Sequence, residues 1–85
     1  MEVEYSPKAI EDIKFWKKSG QTLIQKKITA LITEIERTPY TGTGKPEAIK
    51  HAYTGYWSHH INNEHRIIYK VTDHTIYIAS LKGHY

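Results

Sequence analysis

The sequence predicts an α+β domain: a strand and two helices, then three or four antiparallel strands, with the helical hairpin packed on one face of a twisted sheet. Three observations point there. Between positions 9 and 35 apolar residues recur at spacings of three and four, the period of a helix. From position 56 onward the recurrence falls to two, the period of a strand. The later runs are joined by short polar turns at Asn62-Asn63 and Asp73-His74, which suit antiparallel neighbours. With 85 residues the chain reads as one domain, 1–85, able to bury only about 60–65% of its unfolded surface.

Each element has a local reason. Glu2-Val3-Glu4-Tyr5 alternates as a short strand does. Ser6-Pro7 supplies an N-cap hydroxyl and a proline suited to the first turn of a helix. Ala9, Ile10, Ile13 and Trp16 then form the apolar face, with Glu11, Asp12, Lys14 and Lys17 expected outside. Ser19-Gly20 ends that helix, glycine being suited to the left-handed cap. Thr22 and Gln25 match a capping box. Leu23, Ile24, Ile28, Leu31, Ile32 and Ile35 form a stripe that reads as core, and Thr38-Pro39 stops the second helix.

The loop Pro39-Tyr40-Thr41-Gly42-Thr43-Gly44-Lys45-Pro46 resembles a phosphate-binding loop only superficially. A helix precedes it where a strand is needed, and Pro46 follows Lys45. Glu47-Ala48-Ile49-Lys50 is a candidate extra strand. Tyr56–Ile61, His65–Val71 and Thr75–Leu81 make the meander.

Composition narrows the function classes. There is no cysteine, so disulfides and thiolate metal sites are excluded, which fits a reducing cytoplasm. The first fifteen residues carry Glu2, Glu4, Lys8, Glu11, Asp12 and Lys14, so no signal peptide is expected. No apolar run approaches the roughly 20 residues of a membrane helix, and a soluble cytoplasmic protein is expected. The formal charge of +3 falls entirely in residues 37–85, because residues 1–36 hold six lysines against six acids. All six histidines and most aromatics share that basic half, a composition suited to a polyanion with stackable bases. A sheet rich in β-formers with solvated charges is the plainer explanation.

Several residues in that half are candidates for chemistry. The period of two places Arg66, Ile68 and Lys70 on one sheet face and Ile67, Tyr69 and Val71 on the other. Arg66 is suited to fork onto phosphate oxygens, or simply lies on a solvated face. Glu47, near Lys45 and Lys50, is either a general base or a surface partner of those lysines. His84 is a natural general acid, or an ordinary exposed histidine. His59 and His60 are adjacent, so in a strand they point to opposite faces and cannot share an ion. No HExxH or comparable spacing occurs, and no metal or other cofactor is expected.

Together the residues make a more specific pattern. Gly42-x-Gly44-Lys45-Pro46-Glu47-x-x-Lys50-His51, Gly55-x-Trp57-Ser58, Ile61-x-x-Glu64-His65-Arg66-Ile67-Ile68-Tyr69 and His84-Tyr85 resemble the YoeB (Txe/YoeB) toxins of the RelE/ParE toxin–antitoxin superfamily. The resemblance spans essentially the whole chain. It implies a RelE-like, microbial-RNase-like fold and a metal-independent, ribosome-dependent mRNA endoribonuclease (mRNA interferase) that inhibits translation.

By position, Glu47 would take the proton from a ribose 2′-hydroxyl, Arg66 would stabilise charge on the phosphate, and His84 would protonate the leaving 5′-oxygen. Tyr85 would orient the scissile phosphate or stack on a base, while Lys50 and His60 would bind substrate. The family commonly carries two arginines where this chain has His59-His60, so phosphate binding there would require a protonated imidazole. The implied partners are a cognate, YefM-like antitoxin, the ribosome with A-site mRNA, and operator DNA only within the toxin–antitoxin complex. A homodimer is expected as well, with Trp16 among the aromatics available for its contact, and no membrane. The alternative is a ParE-like toxin that binds and inhibits DNA gyrase without cleaving RNA. A non-catalytic basic RNA-binding module is a third reading.

Overall fold

The computed structural model describes residues 2–40, 46–49 and 54–83. Over them the chain forms β1 (Glu2–Tyr5), α1 (Pro7–Ser19), α2 (Thr22–Arg37), β2 (Glu47–Ala48), β3 (Trp57–His60), β4 (Arg66–Thr72) and β5 (Thr75–Ser80). The strands make one five-stranded sheet in the order β1-β5-β4-β3-β2. Strands β2 to β5 pair antiparallel in sequence, as the short turns require for β3, β4 and β5. The first strand closes the other edge parallel to β5, with Glu2 opposite Thr75 and Tyr5 opposite Ile78. The sheet is therefore mixed.

The helices start and stop largely where local chemistry predicts. Ser6 Oγ accepts the Ala9 amide at 3.0 Å and donates to the Ala79 carbonyl at 2.7 Å, so one hydroxyl caps α1 and ties it to β5. Gly20, at φ 74°, closes α1 in the left-handed conformation. The expected capping box of α2 does not form. The turn through Gly20 is so tight that Thr22 is already helical, and Gln21 occupies the cap position without a side-chain bond. The Gln25 side chain instead donates to the Trp16 carbonyl at 3.1 Å, joining the two helices.

The core lies between this hairpin and one sheet face. Ala9, Trp16, Ile28, Leu31 and Ile35 meet Ile67, Tyr69, Ile76, Ile78 and Leu81, all buried. Tyr69 donates its hydroxyl to the Pro39 carbonyl, and burial, with Tyr40 nearby, pushes its phenol well above the ordinary value. It is thus a protonated core residue and not a base-stacking one.

Four expectations about the helical faces are corrected. Ile10, expected on the apolar face of α1, is exposed. Leu23 is 82% exposed, because it sits about 100° around α2 from the inward-facing Ile24. Trp16 is 2% exposed and belongs to the core, so it is no surface for a second copy; its neighbour Phe15 is the exposed aromatic. Asp12, expected outside, is buried on the Ala9–Trp16 arc, where its carboxylate accepts the Leu81 amide at 2.9 Å and Lys8 Nζ at 2.8 Å. A buried carboxylate is tolerated there because its charge and lone pairs are partnered.

Candidate active site

The register brings one set of polar side chains together on the sheet face opposite the helices. Glu47 lies across from Ser58, Ser58 across from Ile68, and His60 across from Arg66. Paired residues in a sheet point to the same side, so Glu47, Ser58, His60 and Arg66 share one patch. His59 and Ile67 point the other way, into the core.

Arg66 is the hub. Its Nη1 donates to Ser58 Oγ at 2.6 Å and lies 3.8 Å from Glu47 Oε2, while Nη2 donates to His60 Nε2 at 3.2 Å. Ser58 is buried, and the Arg66 side chain keeps only 17% of its exposure. The guanidinium is therefore held at a fixed place, with its charge facing a site rather than waving in solvent. Glu47 is 63% exposed at its side chain and open to accept a proton from outside. A cation held beside an accessible carboxylate can bind a phosphate and deprotonate a hydroxyl next to it.

The two histidines divide as the strand period demands. His59 is buried and its Nδ1–H donates to the His60 carbonyl at 3.2 Å; its Nε2 has no partner among the described residues. His60 faces the patch. Because the arginine donates to it, His60 Nε2 is the bare nitrogen of a neutral ring. The ring proton is then on Nδ1, so with Nε2 engaged by Arg66 it is Nδ1–H that is left as a donor for a phosphate.

Lys50, His84 and Tyr85 lie outside the described residues, as do Thr41 to Lys45 of the glycine-containing loop. The residues leading up to the chain end are held at several points. Asp12 takes the Leu81 amide and Trp16 Nε1 donates to the Leu81 carbonyl at 2.9 Å. Lys8 Nζ reaches the Lys82 carbonyl at 3.2 Å. The Arg66 amide donates to the Gly83 carbonyl at 3.1 Å, and the Gly83 amide donates to His65 Nδ1 at 2.9 Å. Gly83, at φ 85°, adopts a left-handed turn that glycine enters without strain. The backbone of Arg66 thus holds the residue before His84, while its side chain holds the patch.

Ser58 and His65 were not among the candidates drawn from the sequence. Ser58 had a legible signal: a small hydroxyl at a strand position that the Asn62-Asn63 turn sets two residues from His60 on the same face. His65 had none, since its partner is an amide 18 residues away. Among the described residues no three His, Asp or Glu side chains converge as a metal centre would need.

Comparison with known proteins gives a consistent family. Residues 5–85 match the family model described as a YoeB-like toxin of bacterial type II toxin–antitoxin systems. The toxin YoeB of Escherichia coli K12 is 40% identical over 85 residues, covering both chains completely. A YoeB/ParE toxin from Agrobacterium tumefaciens superposes with a TM-score of 0.94 at 33% identity, again over the whole of both chains. The Staphylococcus aureus YoeB, 43% identical, covers all of this chain and 98% of its own. It superposes with TM-scores of 0.89 in a heterotetrameric YoeB–YefM complex and 0.90 as a YoeB dimer.

Proposed function

The chain belongs to the YoeB-like toxins of bacterial type II toxin–antitoxin systems, and from that premise we propose that it is a metal-independent endoribonuclease that cuts mRNA on the ribosome. The observation carrying this reading is the Arg66 guanidinium, held by Ser58 and His60 within 3.8 Å of Glu47. Glu47 removes the proton from a ribose 2′-hydroxyl, and that oxygen attacks the adjacent phosphorus. Arg66 stabilises the negative charge that grows on the phosphate oxygens, often the largest catalytic contribution. His84 gives its proton to the departing 5′-oxygen as the P–O bond breaks, and Tyr85 orients the phosphate. The products are a 2′,3′-cyclic phosphate and a 5′-hydroxyl. Lys50 adds a phosphate contact, whereas His60 serves chiefly to seat Arg66.

The partners follow the same logic. An antitoxin with an acidic tail would cover the patch and neutralise Arg66, as charge complementarity favours. The solved complex and dimer of the Staphylococcus aureus relative support a YefM-like antitoxin and a homodimer for this chain. A toxin acting on ribosome-bound mRNA works in the cytoplasm; operator DNA would be met only in the complex with antitoxin.

The test is primer extension on a defined mRNA in a translating extract. The wild-type protein should cut within ribosome-occupied codons, while Glu47→Gln and His84→Ala each lose on the order of 10²–10⁴ in rate and remain folded. Equal cleavage by the variants would overturn the assigned base and acid. Intact mRNA together with trapped gyrase–DNA would instead favour a gyrase-directed toxin.

A further inference from the structure

The side chain of His65 lies beside Gly83, and the reaction assigned above gives it no role. We propose that His65 is a positioning residue: its bare Nδ1 holds the amide of Gly83, the residue that precedes His84 in the chain. The inference rests on the nuclease reading for its consequence, though not for its geometry.

Four observations converge on it. The Gly83 amide donates to His65 Nδ1 at 2.9 Å, so this nitrogen is bare and Nε2 carries the proton. Nε2 faces the Glu64 carboxylate at 3.8 Å, which favours a proton on that side of the ring. The ring stands edge-on to Trp16 at 4.8 Å and 83°, a packing that limits its rotation. Trp16 in turn holds the Leu81 carbonyl, so one aromatic pair grips two points of the same terminal segment.

The geometry explains why an imidazole is used. The Arg66 amide already takes the Gly83 carbonyl at 3.1 Å. With the amide of the same residue held by the neighbouring side chain, both polar groups of Gly83 are fixed. His84 is the next residue in the chain, and on the nuclease reading it is the one that protonates the leaving oxygen. Placement errors at such a step are costly: a 1 Å displacement can lose on the order of 10²-fold in rate.

Three full-length variants separate positioning from packing. His65→Phe keeps an aromatic ring against Trp16 without an acceptor. His65→Asn restores an acceptor at the position of Nδ1, and His65→Gln puts one at the position of Nε2. Amide hydrogen exchange at Gly83, with Tyr69 as a global control, reads the hydrogen bond without reference to RNA. His65→Phe and His65→Gln should each speed Gly83 exchange about fivefold or more, with Tyr69 unchanged, and His65→Asn should restore protection. On programmed ribosomes, His65→Phe should lower kcat by roughly 10–100-fold with KM within about threefold, and His65→Asn should recover most of kcat.

Unchanged Gly83 exchange in His65→Phe would overturn the clamp. Normal kcat in a variant with lost protection would overturn the positioning role. A wild-type protein that leaves mRNA intact would refute the nuclease reading and the positioning role with it, while the exchange data would still decide whether His65 holds Gly83.

Discussion

Arg66 illustrates what a single residue needs in order to become useful. Its guanidinium is fixed by a neutral ring and a buried hydroxyl, and its backbone amide holds the Gly83 carbonyl. Ser58→Ala would remove one support without opening the core. A hydrogen bond to a charged group contributes about 1.5–3 kcal/mol, so kcat/KM for cleavage should fall roughly 10–100-fold with little change in thermal midpoint. An unchanged kcat/KM would mean that Glu47 and His60 suffice to hold the arginine. The strand period of two is enough to put Arg66 and His60 on definite faces. Ser58 and His65 act through partners that only the register and the terminal turn reveal.

At the scale of elements, the boundaries set by local chemistry are legible in the sequence and those set by packing are not. Ser6-Pro7, Gly20, Thr38-Pro39 and the Asn62-Asn63 turn all act on backbone within a few residues of themselves, and each ends or starts an element as expected. The parallel seat of β1 beside β5 depends on residues more than 70 positions away, beyond any local pattern. Asp12 and Leu23 depart from what polarity suggests: a tertiary contact to Leu81 draws Asp12 inside, and its angle on α2 leaves Leu23 outside. Their reversal has a measurable consequence. Asp12→Ala strands the buried Leu81 amide and should destabilise the fold by about 1–3 kcal/mol, whereas Leu23→Gln should lie within about 0.5 kcal/mol of wild type. Urea denaturation of both variants checks this pair. Equal stabilities would mean that Asp12 does not hold the end of β5.

For the whole molecule, the organising feature is a division of the sheet. The hairpin covers one face and supplies the core, while the other face collects Glu47, Ser58, His60 and Arg66 from three different strands. The terminal segment is tied to both layers, through Asp12 and Trp16 on α1 and through His65 and Arg66 at the start of β4. A domain this small has little core to spare, yet it devotes several buried polar contacts to placing its last described residues. The chemistry at the cut distinguishes this account from others most directly. Fragments released from a defined mRNA by the wild-type protein in a translating extract should, by mass spectrometry, end in a 2′,3′-cyclic phosphate and begin with a 5′-hydroxyl. Fragments bearing a 3′-hydroxyl and a 5′-phosphate would contradict attack by the 2′-oxygen, and with it the roles given to Glu47 and His84.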